Sequence, residues 1–288
     1  MRIVITGASG QLGRRVTEEL LERVAPSDLI LVTRTPDSLA EHAARGADVR
    51  AGDFTDPSSL RAAFAGGDRM LLISTDAIGA RVQPQRDAID AAVAAGIRHI
   101  AYTSIVNPDP ASNPAAAVPD HRATEDKLRE SGLAWTFLRN SVYADLEAGS
   151  QAGALATGQL FTNGGEGSVA YVARDDCAAA AAAVLATDGH EGKAYDITGP
   201  ERLDADARAA AFAELGGAPV EVIHVDDAAY AAGMAEATGM PLPVAELYAT
   251  FGTATRIGAL DALSDDFETL TGRAPRSLRD VLTAATPA

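Results

Sequence analysis

The residues with the clearest chemical meaning are the three glycines of segment 7–13, which follow the spacing G-x-x-G-x-x-G. The segment lies between a β-branched run, Arg2–Thr6, and an amphipathic helical pattern, Gln11–Val24. At such a junction, glycines let backbone N–H groups approach a pyrophosphate, and the helix N-terminus adds partial positive charge. An ordinary tight turn is the alternative, and the spacing departs from the commoner G-x-G-x-x-G. The motif predicts a bound dinucleotide, held by Gly7, Ala8, Ser9, Gly10, Gln11, Leu12 and Gly13.

The end of the second strand pattern decides between the two nicotinamide dinucleotides. NAD-binding enzymes usually carry an Asp or Glu there, about 20 residues past the glycines, which binds the ribose 2′-hydroxyl. Here the strand ends Val32-Thr33-Arg34-Thr35, without a carboxylate, and the planar guanidinium of Arg34 can pair with a 2′-phosphate. NADPH is therefore the expected cofactor. Asp37 lies near enough to keep NADH open, and a plain surface arginine is the alternative interpretation of Arg34.

Two further pairs of residues follow later strand patterns. Asp53-Phe54 comes after the third and is a candidate adenine contact, with the carboxylate accepting from the exocyclic amine. A solvated loop acid is the alternative for Asp53. Ser74-Thr75 ends the fourth pattern, at the carboxyl edge where open α/β sheets bind ligands.

The elements that must position these residues alternate between short β-branched runs and amphipathic helical stretches. Such alternation predicts right-handed β-α-β units and a Rossmann-type, doubly wound parallel α/β sheet. Asp56-Pro57 is a helix start signal and Gly96 a helix end signal. The strand candidates are Arg2–Thr6, Leu29–Arg34, Asp48–Arg50, Met70–Ser74, His99–Thr103 and Trp135–Leu138. The helix candidates are Gln11–Val24, Asp37–Arg45, Asp56–Ala65, Ala80–Ala95 and Asp120–Ser131.

After Leu138 the alternation loosens, and the chain becomes mostly helical beyond Asp204. We expect an NAD(P)-binding Rossmann domain formed by residues 1–140 and about 168–200. A smaller, mostly helical C-terminal lobe on the substrate side would comprise residues 141–167 and 201–288. The candidate elements here are a loop at Thr162–Gly167, a helix at Asp175–Thr187, and strands at Ala194–Thr198 and Val220–Val225.

Composition restricts the class of partner. The 288 residues carry a formal net charge of −16, which disfavours nucleic acid and anionic membrane surfaces, because both attract basic patches. No apolar run reaches the roughly 18 residues of a membrane span and no signal-peptide pattern occurs, so a cytoplasmic location is expected. The single cysteine, Cys177, excludes an intrachain disulfide, and the histidines lack metal-ligand spacing. Neither a metal nor a flavin is expected. The oligomeric state is left open, with a homodimer as one option.

Several stretches of the first 200 residues occur together in one known group of proteins. They are Ile5–Gly13, Leu71–Ser74, Ala94–Ser104, Leu138–Asn140 and Gly189–Tyr195. Together they resemble the NmrA-like atypical short-chain dehydrogenases, and among these the type 2 NAD(P)H:quinone oxidoreductases and the triphenylmethane reductases. The resemblance implies that segment 7–12 cradles the pyrophosphate and that Arg34 reads the 2′-phosphate. It also implies roles near the nicotinamide and the substrate for Ser74, Thr75, Asn140 and Tyr143, and places Ser104 where typical relatives keep a catalytic serine.

A proton relay common in that superfamily is missing. Typical members use a Tyr-x-x-x-Lys pair, whose lysine lowers the tyrosine pKa, but none of the six tyrosines is followed four residues later by lysine. The corresponding helix carries His121 and Glu125 at positions i and i+4, as the quinone reductases do. We expect His121 to orient the substrate or donate a proton, with Glu125 fixing its tautomer. A plain contact on the helix surface is the alternative.

The missing relay favours an acceptor that needs no prompt protonation. A ketone needs a well-placed acid, worth roughly 10²–10⁴ in rate. A quinone or cationic dye accepts hydride readily and yields a delocalised product that water can protonate. We therefore predict NADPH-dependent reduction of a quinone or similar small-molecule electron acceptor, with a substrate-selecting loop at Val106–Pro119. The alternatives are a non-catalytic dinucleotide-binding redox sensor and a triphenylmethane or azo dye reductase.

Overall fold

The computed structural model describes residues 1–285, in which two sheets form. The larger has the strand order β3-β2-β1-β4-β5-β6-β8 and is parallel throughout, whereas β7 and β9 form a separate parallel pair. The predicted doubly wound α/β fold is therefore confirmed. The strands are β1 (Ile3–Ile5), β2 (Leu29–Thr33), β3 (Asp48–Ala51), β4 (Arg69–Leu72), β5 (His99–Ile105), β6 (Ala134–Asn140), β7 (Gln159–Thr162), β8 (Lys193–Ile197) and β9 (Glu221–His224).

Helices cover both faces of the larger sheet and make up most of the chain after β8. They are α1 (Gln11–Leu21), α2 (Ala40–Ala44), α3 (Pro57–Phe64), α4 (Val82–Ala95), α5 (Val118–Glu130), α6 (Glu147–Thr157), α7 (Arg174–Ala186), α8 (Ala205–Gly216), α9 (Asp227–Thr238), α10 (Leu242–Arg256), α11 (Asp266–Thr271) and α12 (Leu278–Ala285). None of the helices in residues 1–285 is long and apolar enough to cross a membrane.

The two faces of the sheet are packed by different kinds of helix. On one face, α3, α4 and α5 present apolar stripes that include Phe64, Ile89 and Leu128. On the other, α7 is buried on nearly all sides and packs against α1. A helix enclosed in this way needs no polar face, which explains its run of alanines. Small side chains at these positions also let α7 approach its neighbours closely.

The sheet reverses its strand order at β1, which pairs with β2 on one side and β4 on the other. Open α/β sheets bind ligands at such a switch point, outside the carboxyl ends of the strands. Segment 7–13 follows β1, and Ser74 lies two residues beyond β4. The fold thus brings the glycine motif and Ser74 to the same edge of the sheet.

Two predicted boundaries close to prolines differ from the structure. The helix expected at Asp37–Arg45 is a short 3₁₀ turn at Pro36–Leu39 followed by α2. The loop expected at Val106–Pro119 ends earlier, because α5 begins at Val118 with Pro119 in its first turn. Proline suits a first helical turn, where its missing N–H has no intrahelical partner.

The C-terminal lobe contains more sheet than the sequence indicates. It is mostly helical, as predicted, but β7 pairs with β9 across about 60 residues of chain. One apolar cluster joins Phe212 and Leu260 of this region to Val106 and Ala115 from the loop between β5 and α5. The proposed division into two domains stays a prediction.

Candidate active site

The turn after β1 has a backbone that only glycine can follow at two points. Gly7 has φ +60°, in the left-handed region. A Cβ on Gly13 would lie 2.3 Å from the Gly7 carbonyl oxygen and 2.7 Å from the Ala8 Cα. Gly13 therefore lets α1 start directly against the turn.

The first turn of α1 also leaves backbone donors free. Its N-cap, Gly10, offers no side-chain acceptor, and the first turn contains no acidic residue. Within residues 1–285 the amides of Gln11, Leu12 and Gly13 have no hydrogen-bond partner. Unpartnered amides at a helix N-terminus attract an anion, so this turn fits a pyrophosphate.

The tip of β2 carries hydroxyl groups and one exposed arginine. The hydroxyls of Ser9 and Thr33 lie 2.7 Å apart, and the Thr35 amide donates to Thr33 Oγ1 over 3.2 Å. Arg34 is exposed, and in the described part of the chain its guanidinium makes no hydrogen bond. Asp37 is also exposed, in the following turn. Ser9 of the glycine-rich turn thus contacts the tip of β2, where Arg34 follows Thr33.

Asp53 and Phe54 lie just beyond β3. Asp53 Oδ1 accepts from the amide and the hydroxyl of Thr55, each over 2.9 Å. The hydrogen bond from the Thr55 amide lowers the pKa of Asp53 most, followed by the bond from the Thr55 hydroxyl. The positive charge of Arg34 lowers it further. Phe54 is half-buried against the core. The Thr55 bonds hold the Asp53 carboxylate in place, whereas its adenine contact stays a prediction.

Polar groups stand at or just beyond the carboxyl ends of three neighbouring strands, β4, β5 and β6. The Ser74 amide donates to Thr103 Oγ1 of β5 over 2.8 Å, and the Thr75 carbonyl accepts from Arg81. At the end of β6, Asn140 Nδ2 lies 3.4 Å from the Tyr143 hydroxyl.

Two buried polar atoms at the end of β6 are unusual. Asn140 Oδ1 and Ser141 Oγ have no hydrogen-bond partner among the described residues. Most buried polar atoms in proteins are paired, so a ligand at this edge would find two free groups there. Sequence reasoning missed Ser141, because a serine after a strand carries no motif.

Ser104 and Glu125 form a closed network beside this edge. The Ser104 hydroxyl donates to Glu125 Oε1 over 2.8 Å. The Glu125 side chain is fully buried, and Arg129 and Arg139 each approach its Oε2 to 2.8 Å. The prediction that Glu125 fixes the tautomer of His121 is wrong, because its oxygens are shared by these three partners. The alternative of an exposed helix-surface pair is also wrong, because both residues are buried.

His121 instead contacts a buried tyrosine. Its Nδ1 lies 2.9 Å from the Tyr102 hydroxyl. Burial, reinforced by the positive charge of Arg81, holds the pKa of His121 well below its ordinary value. Burial likewise raises the pKa of Tyr102. Both side chains are therefore neutral at physiological pH, and no imidazolium is present to act as an acid.

Two other reactive side chains lie near the edge: Tyr143 is half-buried and Cys177 is buried. Burial raises the pKa of Tyr143, whose ring lies 4.8 Å from the Arg174 guanidinium carbon. Burial raises the pKa of the Cys177 thiol well above its usual value, which makes it a poor nucleophile. In residues 1–285 no three His, Cys, Asp or Glu side chains are grouped to hold a metal ion.

Comparisons with known proteins agree with this geometry. The sequence profile of a family described as NAD(P)H-binding matches residues 7–188. Quinone oxidoreductase 2 of Escherichia coli is 36% identical over 93% of this chain and 92% of its own. The crystal structure of an NADPH-dependent quinone oxidoreductase from E. coli, complexed with NADPH, matches with a TM-score of 0.94 at 34% identity, covering 98% of this chain and 99% of the other. The Citrobacter triphenylmethane reductase complexed with NADP(H) matches with a TM-score of 0.90 at 32% identity, covering 99% and 100%. The resemblance inferred from the sequence is confirmed.

Proposed function

The chain belongs to the NAD(P)H-binding family, and from this premise we propose that it is an NADPH-dependent reductase of quinones or similar electron-poor acceptors. The free amides at the start of α1 would bind the pyrophosphate. Arg34 would pair with the 2′-phosphate, and Ser74, Thr75 and Asn140 would line the nicotinamide side. When bound, NADPH supplies the hydride.

The choice of NADPH over NADH rests on the charges at the tip of β2. Arg34 projects there without an ion-pair partner in the described part of the chain, and the strand itself ends without a carboxylate. A guanidinium can bind a 2′-phosphate bidentately, whereas a ribose 2′-hydroxyl calls for an acid. The two similar structures complexed with NADPH and NADP(H) support this choice.

One observation carries the acceptor class: Ser104 and His121, the two side chains predicted to act in catalysis, are already engaged. The hydrogen of the Ser104 hydroxyl is directed to Glu125, and His121 is neutral and bound to Tyr102. A ketone would develop alkoxide charge that neither of these two side chains is free to protonate. A quinone spreads the incoming charge over its ring, so the protein needs only to hold it against the cofactor while water supplies the proton.

The test is to follow the absorbance of reduced nicotinamide while the protein is mixed with quinones and, separately, with simple ketones. We expect NADPH oxidation with quinones and none above background with ketones. Ser104→Ala should keep quinone reduction within about threefold, because its hydroxyl hydrogen is committed to Glu125. A loss of 10²-fold or more in a folded Ser104→Ala protein would contradict the proposal, as would turnover of ketones alone.

Triphenylmethane dyes form the second acceptor class, favoured by the similarity to the Citrobacter reductase. A cationic dye also accepts hydride without a protein acid. Including such a dye in the panel separates the two classes by their relative kcat/KM. Tight NADPH binding with no turnover of any acceptor would instead favour a redox sensor.

A further inference from the structure

Arg14 connects the glycine-rich turn after β1 to the segment that follows β2. Its Nε donates to the Ser9 carbonyl of the glycine-rich turn over 3.0 Å. One of its terminal nitrogens, Nη2, donates to the Ser38 carbonyl beyond β2 over 2.8 Å. The side chain is nevertheless exposed, so its remaining N–H groups are accessible to solvent.

Four side chains with hydroxyl groups belong to the two segments that Arg14 connects and to the end of β2. Ser9 and Thr33 share one contact of 2.7 Å, and the hydroxyls of Thr35 and Ser38 lie 3.2 Å apart. Such groups can turn their O–H bonds toward an anion.

Two arginines lie beside these hydroxyl groups: Arg14 contacts the Ser9 and Ser38 carbonyls, and Arg34 stands between Thr33 and Thr35 in the chain. Neither Arg14 nor Arg34 forms an ion pair within residues 1–285. Most other arginines of this acidic chain do so, and Arg15, the neighbour of Arg14, pairs with Asp175 at 2.7 Å. Arg61, Arg86 and Arg202 also form no ion pair in the described part of the chain, but Arg14 and Arg34 stand beside the same hydroxyl groups, and positive charge in such a setting attracts an anion.

We propose that Arg14 is a second determinant of NADPH selectivity, binding the 2′-phosphate together with Arg34. The inference rests on the proposed function. A guanidinium has five N–H groups, of which two are used on the carbonyls of Ser9 and Ser38. The remaining three can donate to phosphate oxygens, and the two carbonyls fix the fork before the ligand arrives. This preorganisation reduces the entropy lost on binding.

The experiment compares two ligands that differ only in the 2′-phosphate. NADPH and NADH are titrated separately into the protein by calorimetry, without an acceptor. Arg14→Ala is expected to weaken NADPH binding roughly tenfold and to leave NADH binding within about twofold. Arg14→Lys keeps the charge and loses the planar guanidinium, so its NADPH affinity should lie between those of the unaltered protein and Arg14→Ala. Arg23→Ala is the matched control, because Arg23 lies just past the far end of α1, where it approaches Glu19.

Each other outcome overturns the inference in a distinguishable way. Equal weakening of NADPH and NADH in Arg14→Ala would show that Arg14 only supports the turn, and the proposed function would stand. Unchanged NADPH binding in Arg14→Ala would also reject the role of Arg14, and it would leave the proposed function intact. If the unaltered protein bound neither dinucleotide, the inference and the proposed function would both fail.

Discussion

Gly13 is the residue at which the proposed cofactor site leaves least room. A Cβ there would meet backbone atoms of Gly7 and Ala8, which cannot move as a flexible side chain can. Gly13→Ala should therefore distort the turn, cost about 1–3 kcal/mol of unfolding free energy, and weaken NADPH and NADH binding alike. Calorimetric titration and urea unfolding measure the two effects.

The control for this change is a glycine in open space. Gly153 lies within α6, and a Cβ on it would meet no atom within 4 Å. Gly153→Ala should stabilise the protein by roughly 0.5–1 kcal/mol, because alanine favours a helix interior, and leave dinucleotide binding unchanged. Normal NADPH affinity in Gly13→Ala would reject the turn as the pyrophosphate site.

His121 gives the protein a predictable pH dependence. Because burial depresses its pKa, the unfolded chain takes up a proton near pH 6.5 that the folded protein does not bind. The contribution of neutral His121 to the free energy of unfolding is therefore present above about pH 6.5. Below that pH the free energy of unfolding decreases by up to about 1.4 kcal/mol per pH unit for one such group. His99, whose pKa is also lowered by burial and then by Arg69, acts in the same direction.

We expect His121→Asn to reduce the slope of unfolding free energy against pH between 7.5 and 5.5 by about half a proton on average, approaching one proton toward pH 5.5. Urea unfolding at several pH values measures this slope. His224, exposed at the end of β9, provides the control substitution. An unchanged slope in His121→Asn would show that His121 takes up its proton equally well in the folded protein.

At the scale of elements, the loop between β5 and α5 is held by helix α10 and its C-terminal extension. The Ala116 amide donates to Thr250 Oγ1 of α10 over 2.9 Å. Asn107, whose φ of 47° is left-handed, donates from Nδ2 to the Ala259 carbonyl over 3.2 Å. These bonds connect the proposed substrate loop to the proposed C-terminal lobe, so we expect the lobe to influence acceptor binding.

Thr250→Val tests this connection. It keeps the volume of the side chain and removes the acceptor of the Ala116 amide, a loss of about 1 kcal/mol. We expect KM for the acceptor to rise about threefold to tenfold, while NADPH affinity stays the same. Thr255→Val is the matched control, since among residues 1–285 the Thr255 hydroxyl bonds only to the Phe251 carbonyl of its own helix. Equal changes in both variants would contradict a specific role for the loop contact.

The elements also show what a sequence can reveal. The strands β1 to β6 were predictable, because β-branched runs alternate with helical patterns and turn residues such as Asp56 and Gly96 mark helix ends. The glycine motif was predictable for the same local reason. Strand β7 was missed, because its short sequence becomes a strand only by pairing with β9.

The partners of Glu125 were missed for a related reason. Ser104 and Arg139 face each other in the register of two neighbouring strands, and Glu125 reaches both from α5. Helical spacing shows that His121 and Glu125 share a face. It does not show what that face meets across the sheet, because those contacts depend on tertiary packing.

At the scale of the whole molecule, the two proposed domains share interior. The apolar cluster around Phe212 includes Val106, and the fully buried Asp176 of α7 accepts from the Arg276 amide near the C-terminus. If either part unfolded alone, apolar surface would be exposed and the Asp176 carboxylate would lose the Arg276 amide as its hydrogen-bond donor. We therefore expect one cooperative thermal transition rather than two.

Ligand binding sharpens this expectation. NADPH at 100 times its Kd should stabilise the folded state by about 2.7 kcal/mol and raise the single Tm by roughly 5–10 °C. Because the lobe shares its interior with the sheet, the whole transition should move, although the proposed cofactor contacts all lie before residue 141. Differential scanning calorimetry with NADPH, and with NADH at the same concentration, measures both shifts. A second transition whose Tm is unchanged by NADPH, while the Tm of the first increases, would show that the lobe unfolds alone. The coupling through Val106 and Asp176 would then be too weak to affect acceptor selectivity.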